Sequence, residues 1–316
     1  MRFFEHFEEA TGYPADFRQH GYLMIATCEE EVAQFQKNLA AQHACGVPSK
    51  LISPAEVHTL VPALRTEDVI IANYCPTDGY ADPNSVVQGF ARAGKAMGVK
   101  ILEETEVTGL KVTKCKVTGV ETGTGLFPAK TVIIAAGAWS NQIGEAAGIK
   151  IPVSPCRRHI FVTEPVTKVK RDLPMIVEFK TGFWIRSEGR NLIFGMRNNA
   201  QSEGYDTSID WDFFTEYLAP VAIHRFPILE NTGIARAQAG LHEDTTDANA
   251  ILGEVPGIGG LFLACGFSGH GFMHSPAIGS LMTHIILNHG IGEVNVEFFS
   301  IRRFNQPAIS REKLFI

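Results

Sequence analysis

The chain has 316 residues, 45% of them hydrophobic, with a net charge of −6 and an isoelectric point near 6.0, so it can build one large or two medium domains around a sizeable core. It carries no Lys/Arg tract to neutralise a phosphate backbone or an anionic bilayer, which argues against nucleic acid and membrane surfaces as partners. No apolar run approaches the roughly 20 residues that span a bilayer, and the first residues lack the order of a signal peptide, so a cytoplasmic location is expected.

In chain order, Phe3, Phe4, Phe7 and Ala10 recur at helical spacing and predict a helix over Arg2–Ala10 that stops at Gly12. Tyr22–Ala26 reads as a short apolar strand, and Thr27-Cys-Glu-Glu30 as a capping box opening a helix to about Gly46. Ser53-Pro54 opens a short helix, and Asp82-Pro83 a clearer one with Val86, Phe90, Ala93 and Met97 as its apolar stripe. A strand over Val99–Leu102 follows. Three short runs, Glu106–Thr113, Lys116–Thr122 and Gly125–Ala129, predict an antiparallel meander. Thr131–Ala136 has the unbroken apolar character of a strand buried on both faces, and Gly137-Ala-Trp-Ser140 turns it into a helix. Arg158–Glu164, Gly182–Arg186 and Leu192–Met196 read as strands of a second layer, and an aromatic-rich helix begins at Asp210. Leu261–Cys265 is another buried strand, followed by a Gly-rich turn and a helix from Ser275-Pro276 to Gly290. The six cysteines form no CxxC pair, so neither a disulfide framework nor a zinc knuckle is suggested, and most are expected to be small core residues.

Two buried strands thus end in glycine turns that open helices, Ile134-Ala-Ala-Gly137-Ala-Trp139 and Ala264-Cys-Gly266-Phe-Ser-Gly269-His-Gly271. Helix N-termini and free backbone amides at the carboxyl ends of such strands favour anionic ligand atoms. A nucleophile elbow at Ser268 fails on spacing, because His270 stands where GxSxG needs glycine. His270 and His274 are four apart, a metal-binding spacing in a helix, but Gly269, Gly271 and Pro276 predict a turn there.

These turns, with Asp16-Phe-Arg-Gln-His-Gly-Tyr-Leu23, Asp78-Gly-Tyr-Ala-Asp-Pro83, Phe90-Ala-Arg-Ala93 and Ala239-Gly-Leu-His-Glu243, cover nearly the whole chain. In that order they resemble the D-amino-acid oxidase superfamily, above all the β subunits of sarcosine oxidase and of proline or dimethylglycine dehydrogenases. The resemblance implies an α/β (α+β) fold, a three-layer FAD/NAD(P)-binding-type domain with an inserted, mainly antiparallel substrate sheet. The family's opening strand–GxGxxG–helix unit has no counterpart in the sequence. An FAD-binding part at 80–150 and 233–316 and a substrate part at 1–79 and 151–232 are expected.

By the same resemblance, the amides of Gly271, Phe272 and Met273 hold the flavin ring, with Gly266 and Gly269 shaping the turn. Ala136, Gly137 and Trp139 pack the ribose and diphosphate side, and Val107 lies against the adenine. Gly240 replaces the flavin-linking cysteine of monomeric sarcosine oxidases, which implies non-covalent FAD. Trp184, Arg186, His242 and Met273 are the expected substrate-facing residues; Arg186 either receives an amino-acid carboxylate or forms a surface ion pair. Met273 replaces a lysine of the monomeric oxidases, implying a dehydrogenase that hands electrons to a partner subunit. The implied function is oxidation of a secondary amine or amino acid such as sarcosine, dimethylglycine or proline. The competing expectation is a shortened, non-catalytic subunit that keeps the fold as an interaction partner.

Overall fold

Eight strands form the largest sheet of the computed structural model, which describes residues 2–198, 200, 201, 203–288 and 294–305. The described residues hold fourteen strands in all: β1 (Tyr22–Ala26), β2 (Lys50–Ile52), β3 (Ile71–Cys75), β4 (Val107–Thr113), β5 (Lys116–Thr122), β6 (Gly125–Pro128), β7 (Val132–Ile134), β8 (Ser154–Thr163), β9 (Met175–Glu178), β10 (Trp184–Glu188), β11 (Asn191–Gly195), β12 (Ile234–Asp244), β13 (Ile251–Glu254) and β14 (Leu261–Cys265). The large sheet runs β12-β8-β11-β10-β9-β1-β3-β2 and is antiparallel except where β1 lies parallel to β9. Its core gathers Leu23, Ile25, Phe161, Ile176, Phe183 and Ile185 against helix Pro54–Leu60 and the helical run 211–225. The latter contains one wide turn, Phe214–Leu218, and is capped by Asp210, whose Oδ1 accepts from the Phe213 amide at 2.9 Å.

A smaller sheet, β13-β14-β7, makes the middle of three layers. Alternation along β13 and β14 sends Ile251, Leu261, Leu263 and Cys265 towards the β4-β5-β6 meander, and Leu252 and Phe262 towards helix Gly271–Ile286. The expected three-layer organisation and meander are therefore present.

Several expectations change in detail. Arg2–Ala10 folds as two short helical pieces, Arg2–Glu5 and Phe7–Thr11, closed by Gly12 at φ 70°. The second helix is capped one residue later than expected: Glu31, not Glu30, accepts from the Thr27 amide at 2.7 Å and the Cys28 amide at 3.3 Å. In helix Pro83–Ala96 the buried residues are Val86 and Gly89, while Met97 of the expected stripe is 78% exposed. Val99–Leu102 forms no strand, and Ile133 in β7 is 44% exposed. β7 is an edge strand among the described residues, so Ile133 has no strand beside it on one side. Helix Gly271–Ile286 starts four residues before Ser275, and its expected end at Gly290 lies outside the described residues. Only Cys75 and Cys265 are buried, and all six cysteines are free.

The large sheet also crosses the boundary expected near 233, because β12 pairs with β8 from Ile234 to Asp244. The first helical pieces pack against helix Pro83–Ala96 and the start of helix Gly271–Ile286, where Phe4 and Phe7 meet Val86 and Phe272.

Candidate active site

The Gly266–Gly271 turn leaves β14 through three left-handed residues, Gly266 at φ 71°, Ser268 at φ 52° and Gly269 at φ 89°. Glycine is required at 266, because a Cβ there would stand 2.5 Å from Thr245 Cγ2. Ser268 is fully buried, with its Oγ accepting from the Thr245 amide at 3.0 Å and donating to the Gly266 carbonyl at 3.3 Å. It is a buried brace for the turn. The helix then begins at Gly271, so the amides of Gly271, Phe272 and Met273 occupy its first turn, where N–H groups have no intrahelical partner and favour electron-rich atoms. The Phe272 ring is committed elsewhere, stacked on Phe4 at 5.3 Å, which leaves its backbone for a ligand. The stretch expected to be a turn is helical, and the His270 and His274 rings stack at 6.0 Å. No group of three metal-ligating side chains occurs among the described residues.

Beside this turn lies a cavity of about 390 Å³ lined by Tyr22, Met24, Trp184, Arg158, Arg197 and His242. Gly269 and Met273 close one side, and Asp78 and Met175 another. Trp184 reaches it by lying across its β11 partner: a Cβ on Gly195 would stand 3.0 Å from the indole. Arg186 is not part of the lining. Its guanidinium sits 4.4 Å over the Tyr80 ring and pairs with Glu188, the ion-pair alternative left open by the sequence.

The guanidinium groups in the cavity are instead Arg158 and Arg197, which sequence reasoning missed. Arg158 Nη2 donates to Asp244 at 2.8 Å, and Arg197 Nη2 lies 3.8 Å from the same carboxylate. The pairing explains its place: Arg158 stands opposite Gly240 in the β8–β12 register, so the face that carries Gly240 and His242 also carries Arg158. Burial, aided by Arg158, pushes the His242 imidazole down to about 4, so it is neutral near pH 7. Burial likewise raises the Asp78 carboxyl and takes the Cys156 thiol up to about 11.

A second cavity of about 610 Å³ is lined by Glu106, Val107, Thr108, Ala136, Trp139, Gln142 and Ile143. It brings together Val107, Ala136 and Trp139, three of the residues expected at the adenine and ribose end. Trp139 is half exposed and stacks on Tyr205 at 5.9 Å, while Tyr205 donates to the Ala138 carbonyl. Gly137, at φ 54°, starts the helical turn Gly137–Trp139. Gly240 faces open space, with nothing within 4 Å of where its Cβ would be.

FAD passes a structural test of fit. Buried polar atoms without hydrogen-bond partners, Ser140 Oγ, Glu243 Oε2 and His242 Nδ1, belong to the elements around Gly137 and the two cavities, where an extended polar ligand would satisfy them.

A family model described as "FAD dependent oxidoreductase" matches residues 1–285. Human mitochondrial sarcosine dehydrogenase is 31% identical over 94% of this chain and 34% of its own length. The chain therefore spans about a third of the first curated relatives it matches. The crystal structure of L-proline dehydrogenase from P. horikoshii superposes with a TM-score of 0.87 at 34% identity, covering 96% of this chain and 81% of the other. Glycine oxidase from Geobacillus kaustophilus gives 0.82 at 25% identity, covering 96% and 80%. Some relatives bear mitochondrial names, and no helix among the described residues is long and apolar enough to cross a membrane.

Proposed function

Because the chain belongs to the family of FAD-dependent oxidoreductases, we propose that it oxidises an amino acid or secondary amine bearing a carboxylate, with FAD held non-covalently along the two cavities. The observation that carries this reading is the first cavity, where a mainly apolar wall with two guanidinium groups meets the first turn of helix Gly271–Ile286.

Bound FAD supplies a two-electron acceptor for the hydrogen on the carbon beside the amine nitrogen. The chain's own contribution is orientation and charge. Arg197, with Arg158 beside it, receives the substrate carboxylate in a charge-assisted, fork-shaped pair. Trp184, Met24 and Met175 pack the aliphatic part and exclude water, fixing the reacting carbon towards Gly269 and Met273. Neutral His242 adds no further positive charge to those of Arg158 and Arg197. The first-turn amides favour negative charge developing on the ring beside them.

Met273 at the cavity rim, where the resemblance places a lysine in monomeric oxidases, supports an electron-accepting partner protein in place of dioxygen. Anaerobic mixing with sarcosine, dimethylglycine, proline or glycine tests the reading: one of them bleaches the flavin absorbance, and an artificial dye reoxidises it faster than air. A colourless protein that gains no thermal stability from added FAD would instead support the non-catalytic subunit.

A further inference from the structure

Glu243 follows His242 on β12 and faces the Gly137 turn, and neither the substrate reading nor the expected cofactor contacts use it. The Phe267 amide donates to its Oε1 at 3.3 Å, and the Ser268 amide donates to its backbone carbonyl at 3.1 Å, so the residue is fastened to the Gly266–Gly271 turn. Its Oε2 is buried and has no hydrogen-bond partner. That oxygen points at the other glycine turn: a Cβ placed on Gly137 would lie 3.8 Å from it. His242, the preceding residue, lines the first cavity, and Ala136, preceding Gly137, lines the second. The Gly137–Glu243 pair therefore joins a segment that lines the first cavity to one that lines the second.

We propose that the Glu243 carboxyl is a positioning group for FAD, donating its proton to an oxygen of the sugar–phosphate linker that joins the two ends of the cofactor. The inference rests on the assignment of FAD to these cavities. An ionised carboxylate at this place would repel the diphosphate, whereas a neutral carboxyl supplies a donor and fills the vacancy at Oε2.

The surroundings favour the neutral form. Burial raises the Glu243 carboxyl and the charge of Asp244 adds to the rise, against the pull of the Gly266 and Phe267 amides. From β14 the facing group is Cys265, whose thiol burial keeps protonated up to about 12. From the Gly137–Trp139 turn there is no ionisable group, and beyond it stands the Ser140 hydroxyl. Along β12 the neighbours are His242, neutral above about 4, and Asp244, whose carboxylate Arg158 and Arg197 face. In β8 Pro155 lies opposite. Binding an anionic linker raises the carboxyl further, so FAD binding takes up a proton. Affinity is greatest below the Glu243 pKa and falls as pH rises through it.

The test is FAD affinity of the flavin-free chain, read by quenching of flavin fluorescence from pH 5 to 9, for the wild type and Glu243→Gln. Loss of one proton weakens wild-type binding by up to about tenfold per pH unit above the carboxyl's pKa, while the glutamine variant, always a neutral donor, stays flat. Glu243→Ala, lacking any donor, binds more weakly than Glu243→Gln throughout. Matching far-ultraviolet dichroism establishes that the variants are folded. Equal pH slopes in wild type and Glu243→Gln overturn the proposal alone, as does a glutamine variant that binds more weakly than wild type at pH 5. Unchanged flavin fluorescence with every chain at every pH overturns it together with the FAD assignment, so the two failures are distinguishable.

Discussion

Replacing Arg197 by methionine removes a guanidinium from the substrate cavity while keeping much of its aliphatic stem. The choice over Arg158 follows from the distances to Asp244: at 2.8 Å Arg158 is its hydrogen-bonded partner, whereas Arg197 stands at 3.8 Å. Asp244 is 8% exposed, so removing Arg158 would strand a buried carboxylate and confound binding with folding. Arg197→Met leaves that pair intact. A hydrogen bond to a charged group contributes about 1.5–3 kcal/mol, which at about 1.4 kcal/mol per decade corresponds to a loss of roughly 10- to 150-fold in kcat/KM. The assay is steady-state dye reduction with a carboxylate-bearing substrate identified by flavin bleaching, compared with the analogous amine lacking the carboxylate. The amino acid loses the full factor, mostly through KM, and the simple amine loses little. Equal losses on both substrates, or none on the amino acid, would refute the assignment of Arg197 to the carboxylate.

Four further outcomes follow from the charged and buried groups. Arg225 has a side chain only 1% exposed, bridging Glu178 at 2.7 Å and Asp68 at 2.7 Å, so Arg225→Met strands Glu178 and destabilises the fold by about 3–5 kcal/mol in urea titration. Burial alone would raise Asp68, but hydrogen bonds from Arg225 and His224 hold it at about 2. Its folded value lies below the unfolded one, so its contribution is present above about pH 4 and is lost as pH falls towards 2; Asp68→Asn flattens that part of the stability profile. The His242 resonance titrates near 4 because burial opposes its charge, and unfolding restores the ordinary value; stability therefore declines as pH drops from about 6.5 towards 4, a slope absent in His242→Gln. Ser268→Ala leaves the buried Thr245 amide without its acceptor, lowering stability by about 1–3 kcal/mol and weakening FAD affinity, yet flavin-reduced turnover persists at saturating FAD. Complete loss of turnover there would revive Ser268 as a reacting group.

Elements whose signal is local were legible in the sequence. The Asp82-Pro83 helix start is fixed by one side chain, since Asp82 Oδ2 accepts from the Ser85 amide at 2.7 Å, and Ser53 Oγ likewise accepts from the Glu56 amide at 3.4 Å. β14 and the meander follow from short periodic runs between glycines. What stayed hidden depends on partners distant in the chain. Val99–Leu102 has strand-like composition, but a strand exists only when an edge accepts it. β9, four residues between loops, is a strand because β1 and β10 flank it. The same limit explains the site. Arg186 and Arg197 look alike as sequence; Tyr80 and Glu188 capture the first, while the β11 end places the second in the cavity.

The alternation of β12 ties the two halves of the site together. Its residues pair one by one with β8, so successive side chains point to opposite faces of the sheet. His242 faces the substrate cavity, and two residues on, Asp244 engages Arg158 and faces Arg197. Glu243, between them, turns the other way to the amides of the Gly266–Gly271 turn and towards Gly137. One tripeptide thus sets the charge of the substrate cavity on one face and holds the cofactor turn on the other. A one-residue deletion between Ile234 and Gly240 would exchange those faces, carrying Glu243 into the place of His242 in the cavity and Asp244 into the place of Glu243 beside Gly137. Flavin affinity and substrate binding should then fail together, whereas substitutions at Arg197 or Glu243 separate them.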